Sequence, residues 1–238
     1  LIKSNIMKNM GSKTAKDGFK EEDFLVNKLN EDTILRKMLE KFIGKNLTND
    51  ACKIKGNTKS DIVISNINIK HKKTKNKQFG QIGRQCVDTL VNNIPELEKC
   101  KYILKNLCEL PINPVTQMCD KKYKIKKLNN NNYSKNELNE LIDIFEKNKK
   151  NIIDYAFNGH EQKYKPELFS ISLFNKNIRE KLIFWKMDDI IDHLINYNVK
   201  IKKSQTVIEI SKDLTFQRKG GDSGRKQANN FQFKFIPS

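Results

Sequence analysis

KSDIVISNINIK, residues 59–70, contains two short runs of alternating apolar and polar residues around Ser65 and Asn66. Such alternation on either side of two turn-forming residues predicts a tight β-hairpin. We expect residues 62–64 to pair antiparallel with residues 67–69. One face of the hairpin then carries only β-branched side chains, namely Ile62, Ile64, Ile67 and Ile69. This face suits burial against helices.

The other face of the hairpin is polar. The same pairing places Asp61 opposite Lys70 and Val63 opposite Asn68, with all four side chains on one side. A carboxylate, an amide and an ammonium group together are what metal-dependent phosphodiester hydrolysis needs, because Mg²⁺ prefers hard oxygen ligands and a lysine can orient water or offset phosphate charge. The alternative is a surface hairpin with a cross-strand ion pair of little energetic value.

Size and charge narrow the possible functions. The chain of 238 residues has a net charge of +18 and an isoelectric point near 9.6. That length predicts a single domain, residues 1–238, of the α/β or α+β kind. The positive charge favours a polyanionic partner such as nucleic acid, although a genome biased toward AT would also enrich lysine.

Cysteine usage and hydropathy indicate the compartment. The five cysteines show no CxxC or Cys/His spacing, which argues against both a disulfide framework and a zinc module. No run approaches the ~20 apolar residues of a membrane span, and residues 1–10 do not form a signal peptide. These features predict a protein of the reducing cytoplasm.

Two helices are expected before the hairpin. The basic stretch 11–20 leads into a helix whose early acidic residues include Glu22. Acids at that position complement the helix dipole, and the alternative is that Glu22 reaches the metal site. A second helix over 32–43 has apolar residues at helical spacing that we expect in the core. They are Ile34, Leu35, Met38, Leu39 and Phe42.

A basic segment follows the hairpin. Residues 71–85, HKKTKNKQFGQIGRQ, place lysines around Phe79 and Gln81. This composition predicts a loop that contacts phosphates and stacks on or reads bases, and the alternative is a solvated loop with Phe79 tucked into the core. His71 is expected to be a polar neighbour of the site and not a catalytic base, since metal-activated water needs no dedicated histidine.

The remainder is predicted to be mostly helical over 86–200, with a break at Pro95, a helix that begins at Ser134 and a candidate strand over 169–174. Strands are expected near the C-terminus, and between them lies a second basic loop, QRKGGDSGRKQANN, residues 217–230. Its glycines allow the backbone to approach a ligand closely, and its cations are suited to contact DNA phosphates or guanine edges. The candidate DNA-binding residues are Gln217, Arg218, Lys219, Asp222, Arg225 and Lys226.

Several of these segments resemble one enzyme family. They are GSKTAKDGFK at 11–20, KSD at 59–61, NIK at 68–70, the Phe79-x-Gln81-Ile82 run and QRKGGDSGR…AN…QFK at 217–234. Together they are similar to the HinP-type restriction endonucleases, which cut at GCGC. NIKH at 68–71 also resembles the related MspI-type enzyme. Residues from about 90 to 205 carry no such resemblance.

The resemblance implies the PD-(D/E)XK fold, an α/β fold with a central mixed sheet flanked by helices. It also implies Mg²⁺-dependent cleavage of double-stranded DNA to 5′-phosphate ends, in bacterial cytoplasm that holds a cognate DNA methyltransferase.

Residue by residue, Asp61 matches the metal ligand, and Lys70 matches the lysine that orients water or stabilises charge. We also expect the main-chain carbonyl of Ile69 to bind Mg²⁺ beside Asp61. Asn68 stands where the broader superfamily has Glu or Asp. Phe79 and Gln81 match residues that wedge into and read the target. Two other classes stay open: a DNA-binding protein without nuclease activity, and a structure-specific repair or junction nuclease of the same fold.

Overall fold

The computed structural model describes residues 2–56, 60–75, 81–120, 122–159, 164–221 and 224–236, with backbone only for 2–16, 75 and 81–83. The chain divides into two compact units. Unit 1 comprises Leu1–Gln78 and Glu161–Ile190, and unit 2 comprises Phe79–His160 and Ile191–Ser238. The single domain expected from chain length stays a prediction.

The elements alternate between helix and strand along much of the chain. In chain order they are α1 Ile2–Glu31, α2 Thr33–Ile43, β1 Cys52–Lys53, β2 Ile62–Ile64, β3 Ile67–Lys75, β4 Gln81–Gln85, α3 Val87–Asn93, a 3₁₀ helix Pro95–Cys100, α4 Lys101–Cys108, α5 Lys135–Lys147, α6 Lys149–Asn158, β5 Leu168–Asn175, β6 Ile178–Lys186, α7 Met187–Ile195, β7 Lys200–Ile201, β8 Val207–Ser211, β9 Leu214–Arg218, a 3₁₀ helix Lys226–Asn229 and β10 Phe231–Phe235. Among the residues that the structure describes, no helix is both long and apolar enough to cross a membrane.

Unit 1 is built on a mixed sheet of strand order β1-β2-β3-β5-β6. β3 and β5 run parallel, whereas β1–β2, β2–β3 and β5–β6 are antiparallel pairs. Helices α1 and α2 cover the sheet through Leu25, Leu29 and Leu39. The predicted α/β architecture with a mixed sheet and flanking helices is therefore confirmed.

The hairpin forms with the predicted register. Ser65 and Asn66 have φ of 46° and 67°, the left-handed values that a two-residue turn between twisted strands requires. Ile62 pairs with Ile69 and Val63 with Asn68. All four isoleucines lie in the core of unit 1, at most 3% exposed.

Helix α2 begins and ends where the sequence indicates. The Asp32 carboxylate accepts from the Leu35 N–H at 2.9 Å, and Gly44 ends the helix at φ 72°. The prediction that its five apolar residues are core was wrong for three of them, because only one face of α2 meets the sheet. Leu39 is buried and Leu35 is half-buried, whereas the other three side chains are exposed. Those three are Ile34, Met38 and Phe42.

Three further expectations need correction. The basic stretch 11–20 is itself helical, since α1 begins at Ile2. The loop expected over 71–85 is strand at both ends, because β3 continues to Lys75 by pairing with β5, and β4 begins at Gln81 and pairs with β10. In the described part of 86–200, β5 confirms the strand predicted over 169–174, but β6 was not expected, because the charged residues of this edge strand obscure its alternation.

Unit 2 is built on an antiparallel sheet of order β4-β10-β9-β8-β7. Its core includes Phe216 of β9, whose ring stacks on Phe231 at 4.9 Å and meets Phe145 of α5 edge-on at 5.9 Å. Helix α5 begins at the predicted cap. The Ser134 hydroxyl accepts from the Glu137 N–H at 3.2 Å, and the Glu137 carboxylate accepts from the Ser134 N–H at 2.7 Å.

Candidate active site

The polar face of the hairpin brings Asp61 and Lys70 together. The Asp61 N–H donates to the Ile69 carbonyl at 2.9 Å, which extends the β2–β3 pairing by one residue. Lys70 Nζ then donates to Asp61 Oδ1 at 3.0 Å. Their side chains are only 14% and 12% exposed, so the pair is shielded from bulk water. The predicted juxtaposition of Asp61 and Lys70 is present.

The second oxygen of Asp61 also has partners. The backbone N–H of His71 donates to Oδ2 at 2.8 Å, and Lys72 Nζ lies 3.8 Å from the same oxygen. Lys70 and Lys72 are two residues apart on β3 and therefore project from the same face of the sheet. Asp61 thus accepts hydrogen bonds from Lys70 and the His71 N–H, and Lys72 is a more distant cation beside it.

Glu22 approaches this cluster from α1. Lys53 Nζ of β1 lies 3.4 Å from Glu22 Oε2 and 3.0 Å from the carboxylate of Asp23. Burial raises the pKa of the Glu22 carboxyl above its ordinary value, and the nearby charge of Asp61 raises it further against the opposing effect of Lys53 and Lys72. The structure therefore places Glu22 within electrostatic reach of Asp61, as its sequence position allowed.

Glu21 anchors the same turn of α1. Its carboxylate, 8% exposed, accepts from Arg179 Nη2 of β6 at 2.8 Å and lies 3.6 Å from Lys73 Nζ of β3. The Arg179 guanidinium also lies 3.2 Å from the centre of the Phe24 ring. These contacts tie the part of α1 that carries Glu22 to two strands of the sheet.

His71 lies on the opposite face of β3 from Lys70. Its ring hydrogen-bonds Ser170 Oγ at 2.8 Å and Ser172 Oγ at 3.3 Å, both on β5. Burial lowers the pKa of His71 to about 4, which outweighs the attraction of Asp61. A neutral imidazole enclosed by two serines suits the expected role of a polar neighbour and not that of a general base.

Lys72 lies in surroundings that disfavour its positive charge. Burial and the neighbouring Lys70 ammonium lower the pKa of Lys72 to about 8, against the opposing attraction of Asp61 and Glu22. Sequence reasoning missed both Lys72 and Lys53 as neighbours of the site. The spacing Asn68-x-Lys70-x-Lys72 on one strand could have indicated Lys72, whereas Lys53 reaches Glu22 only through tertiary packing.

Asn68 is half-buried on the face of β3 that carries Lys70. Its carbonyl accepts from the Glu167 N–H at 2.8 Å. It also lines a cavity of about 450 Å³ together with Lys45, Lys165 and Lys186, a cavity that does not reach Asp61 or Lys70. We therefore take the Asp61–Lys70 pair, and not this cavity, as the centre of the site.

The donor set suits Mg²⁺. Asp61 sits close enough to Glu22 to raise the pKa of the Glu22 carboxyl, and the Ile69 carbonyl retains a second lone pair after accepting from the Asp61 N–H. Mg²⁺ in nucleic-acid enzymes is held by one or two carboxylates, with water and substrate phosphates completing its shell. Among the described residues there is no group of three or more His, Cys, Asp or Glu that could hold a metal ion.

The predicted DNA-contacting residues belong to unit 2. Phe79 and Asp222 lie outside the described residues, and only the backbone of Gln81, paired with Lys234, is described. Gln217 is half-buried in β9 and pairs with Gln232 of β10.

In the 217–230 loop, Arg218 contacts its own chain. Its guanidinium donates to the Cys108 carbonyl at 2.9 Å and to Asn229 Oδ1 at 3.1 Å. The Lys219 N–H donates to the Asn230 carbonyl at 2.7 Å. The most accessible cations of the loop are Arg225 and Lys226.

Comparison with known proteins gives the family. A family model described as R.HinP1I restriction endonuclease matches residues 44–238, a span that includes the Asp61–Lys70 hairpin and the 217–230 loop. The chain belongs to the R.HinP1I restriction endonuclease family. It is a type II site-specific nuclease, and the predicted enzyme class is confirmed.

A solved structure shows the same fold. The restriction endonuclease MspI, crystallised in complex with its cognate DNA, matches with a TM-score of 0.62 and 13% identity over 95% of this chain and 92% of that chain. This likeness confirms a restriction-endonuclease fold for the family member described here. No curated protein matches the chain.

Proposed function

We propose that this restriction endonuclease uses Mg²⁺ to cleave double-stranded DNA at a short palindromic site, GCGC, and leaves 5′-phosphate ends. The observation that carries the proposal is the shielded Asp61–Lys70 pair at 3.0 Å, with Glu22 in electrostatic reach. The family match and the net charge of +18 support a DNA substrate. We further propose that the enzyme acts in bacterial cytoplasm beside a methyltransferase that protects the same site.

Each residue of the cluster has a separate role. Asp61, the Ile69 carbonyl and Glu22 would hold Mg²⁺, and Asn68 occupies the strand position at which the broader superfamily has Glu or Asp. When bound, the metal supplies Lewis-acid activation of water and of the phosphodiester. Lys70 Nζ, which lies 3.0 Å from Asp61 Oδ1, would orient the attacking water or offset the charge that develops on the phosphate.

DNA recognition is assigned to unit 2. Arg225 and Lys226 are exposed cations in the 217–230 loop, suited to phosphates or guanine edges. Gln217, Lys219, Asp222, Phe79 and Gln81 stay candidate DNA contacts. Arg218 also remains in the set, although its hydrogen bonds to Cys108 and Asn229 make it the group that holds the loop in shape.

The cleavage activity is tested with plasmid DNA. Purified protein with Mg²⁺ should give discrete fragments, and sequencing their ends should return GCGC with 5′-phosphates, whereas excess EDTA should stop cleavage. Retention of DNA without cutting would instead indicate a non-catalytic DNA-binding protein. Cutting confined to branched DNA would indicate a structure-specific nuclease.

The role of Lys70 is tested by Lys70→Ala. Cutting should be abolished while binding of the same DNA is retained, because the residue acts on the reaction and DNA affinity rests on many other cations. Lys37→Ala, on the exposed side of α2, is the matched control and should cut like the parent. Normal cutting by Lys70→Ala would overturn the assignment.

A further inference from the structure

Lys72 is a third lysine in a cluster that holds two carboxylates. Asp61 Oδ1 is bonded by Lys70 at 3.0 Å, and Oδ2 by the His71 N–H at 2.8 Å. Lys53 Nζ lies 3.4 Å from Glu22 Oε2. Lys72 Nζ is 3.8 Å from Asp61 Oδ2, which is beyond hydrogen-bond range. Each carboxylate therefore has a nearer basic partner than Lys72.

The surroundings of Lys72 make its charge costly. Its neighbours on β5 in the parallel register include Ile171, which is fully buried, and its own side chain is 30% exposed. Partial loss of water disfavours an ammonium group, and the like charge of Lys70 disfavours it further. A divalent cation bound at Asp61 would add more positive charge beside it. An anionic ligand beside Asp61 would compensate the positive charge that Asp61 and Glu22 leave unbalanced.

We propose that Lys72 is a phosphate-binding residue that contacts the DNA backbone beside the scissile phosphate. The inference rests on the proposed function, because it takes DNA as the ligand of this site. Lys70 and Lys72 project from the same face of β3, about 6.6 Å apart along the strand. Lys70 serves the scissile phosphate, and Lys72 reaches a flanking one.

A phosphate-binding lysine and a structural counterion of Asp61 differ in what their removal does to stability and to DNA affinity. A counterion that stabilises Asp61 should lower the free energy of unfolding when it is removed. A lysine kept for a phosphate should leave the stability of the free protein unchanged or raised, because its removal relieves desolvation and repulsion by Lys70. DNA affinity should fall in the second case, by about tenfold near 0.1 M salt for one lost phosphate contact.

The experiment uses full-length protein and a fluorescein-labelled duplex of about 20 base pairs with one central GCGC, in EDTA so that no cutting occurs. Fluorescence anisotropy gives the affinity over a series of salt concentrations. Lys72→Met and Lys72→Gln should each weaken binding about tenfold and reduce the slope of log K against log salt by about one, and Lys72→Arg should restore the slope. Urea unfolding of the same proteins should show no loss of stability.

Lys73→Met is the matched control. Lys73 is the next residue on the same strand, with 26% of its side chain exposed, but it faces Glu21 at 3.6 Å and the Phe174 ring at 4.5 Å. Its removal should lower stability and leave the salt slope unchanged.

The outcomes distinguish this inference from the proposed function. If the parent protein does not bind the duplex, the proposed function fails. If the parent binds and both Lys72 variants bind with the same affinity and slope, the inference alone fails. Loss of stability in both Lys72 variants with an unchanged slope would show a structural counterion and would also overturn it.

Discussion

The buried histidine of β3, His71, gives a quantitative prediction about acid stability. The pKa of His71 is about 4 in the folded protein, compared with an ordinary value of 6.5. As pH falls below 6.5 the unfolded chain takes up a proton at this residue, whereas the folded protein does not until about pH 4. His71 therefore contributes stability that is fully present above pH 6.5 and is lost as pH falls toward 4.

The size of the effect follows from the two pKa values. A shift of about 2.5 units corresponds to about 3 kcal/mol over the whole window. Between pH 7 and pH 5 the loss from this one residue is about 2 kcal/mol. Other groups titrate over the same range, so the prediction concerns the difference between the parent and a variant without an ionisable side chain at this position.

His71→Asn is the variant to compare, because an amide can still donate and accept between Ser170 and Ser172. Urea unfolding in EDTA at several pH values gives both stability curves. Trp185, the only tryptophan, is on β6 in the same unit and reports unfolding by fluorescence. The variant should be less stable near pH 7 but should lose about 2 kcal/mol less than the parent down to pH 5.

A constant stability difference between the two proteins at every pH would refute the reasoning, since the pKa of His71 would then be the same in the folded and unfolded states. A histidine resonance that titrates near 6.5 in the folded protein, and is missing from His71→Asn, would refute it independently.

Three further substitutions test the packing of unit 2. Phe216→Ala should lower the free energy of unfolding by about 3–5 kcal/mol in urea, since the ring is fully buried among other aromatic rings, and a loss below 1 kcal/mol would contradict that packing. Ser134→Ala should cost about 1 kcal/mol through loss of the α5 cap, with Ser134→Thr as a control that keeps it. Arg218→Lys should increase protease cleavage within 219–230, because one ammonium cannot replace the two guanidinium hydrogen bonds to the Cys108 carbonyl and Asn229 Oδ1. An unchanged digestion pattern would show that the loop does not depend on these two bonds.

The hairpin and its polar face could be predicted because the information is local. Alternation, two turn residues and a spacing of nine residues suffice to place Asp61 beside Lys70. Helix caps such as Ser134 were equally readable, since a cap is formed by residues three positions apart.

The rest of the site depends on contacts that sequence spacing does not show. Glu22 meets Lys53, 31 residues along the chain, only because α1 packs on the sheet. His71 is enclosed by Ser170 and Ser172 of β5, so a ring that follows Lys70 in the sequence is a buried neutral group. The exposed row Ile34, Met38 and Phe42 was misjudged because helical periodicity does not indicate which of two apolar faces meets the core.

The parallel pairing of β3 with β5 has a consequence for synthesis of the enzyme. Ile69 pairs with Leu168, and the first segment of unit 2, Phe79–His160, lies between them in sequence. The outer half of β3, which carries Lys72, lies beyond the residues that pair with β2 and gains its strand partner only after the ribosome has made β5. Closing so long a loop is slow. We therefore expect a nascent chain to hold a formed Asp61–Lys70 hairpin next to an unfinished strand, so that the nuclease becomes competent only late in translation.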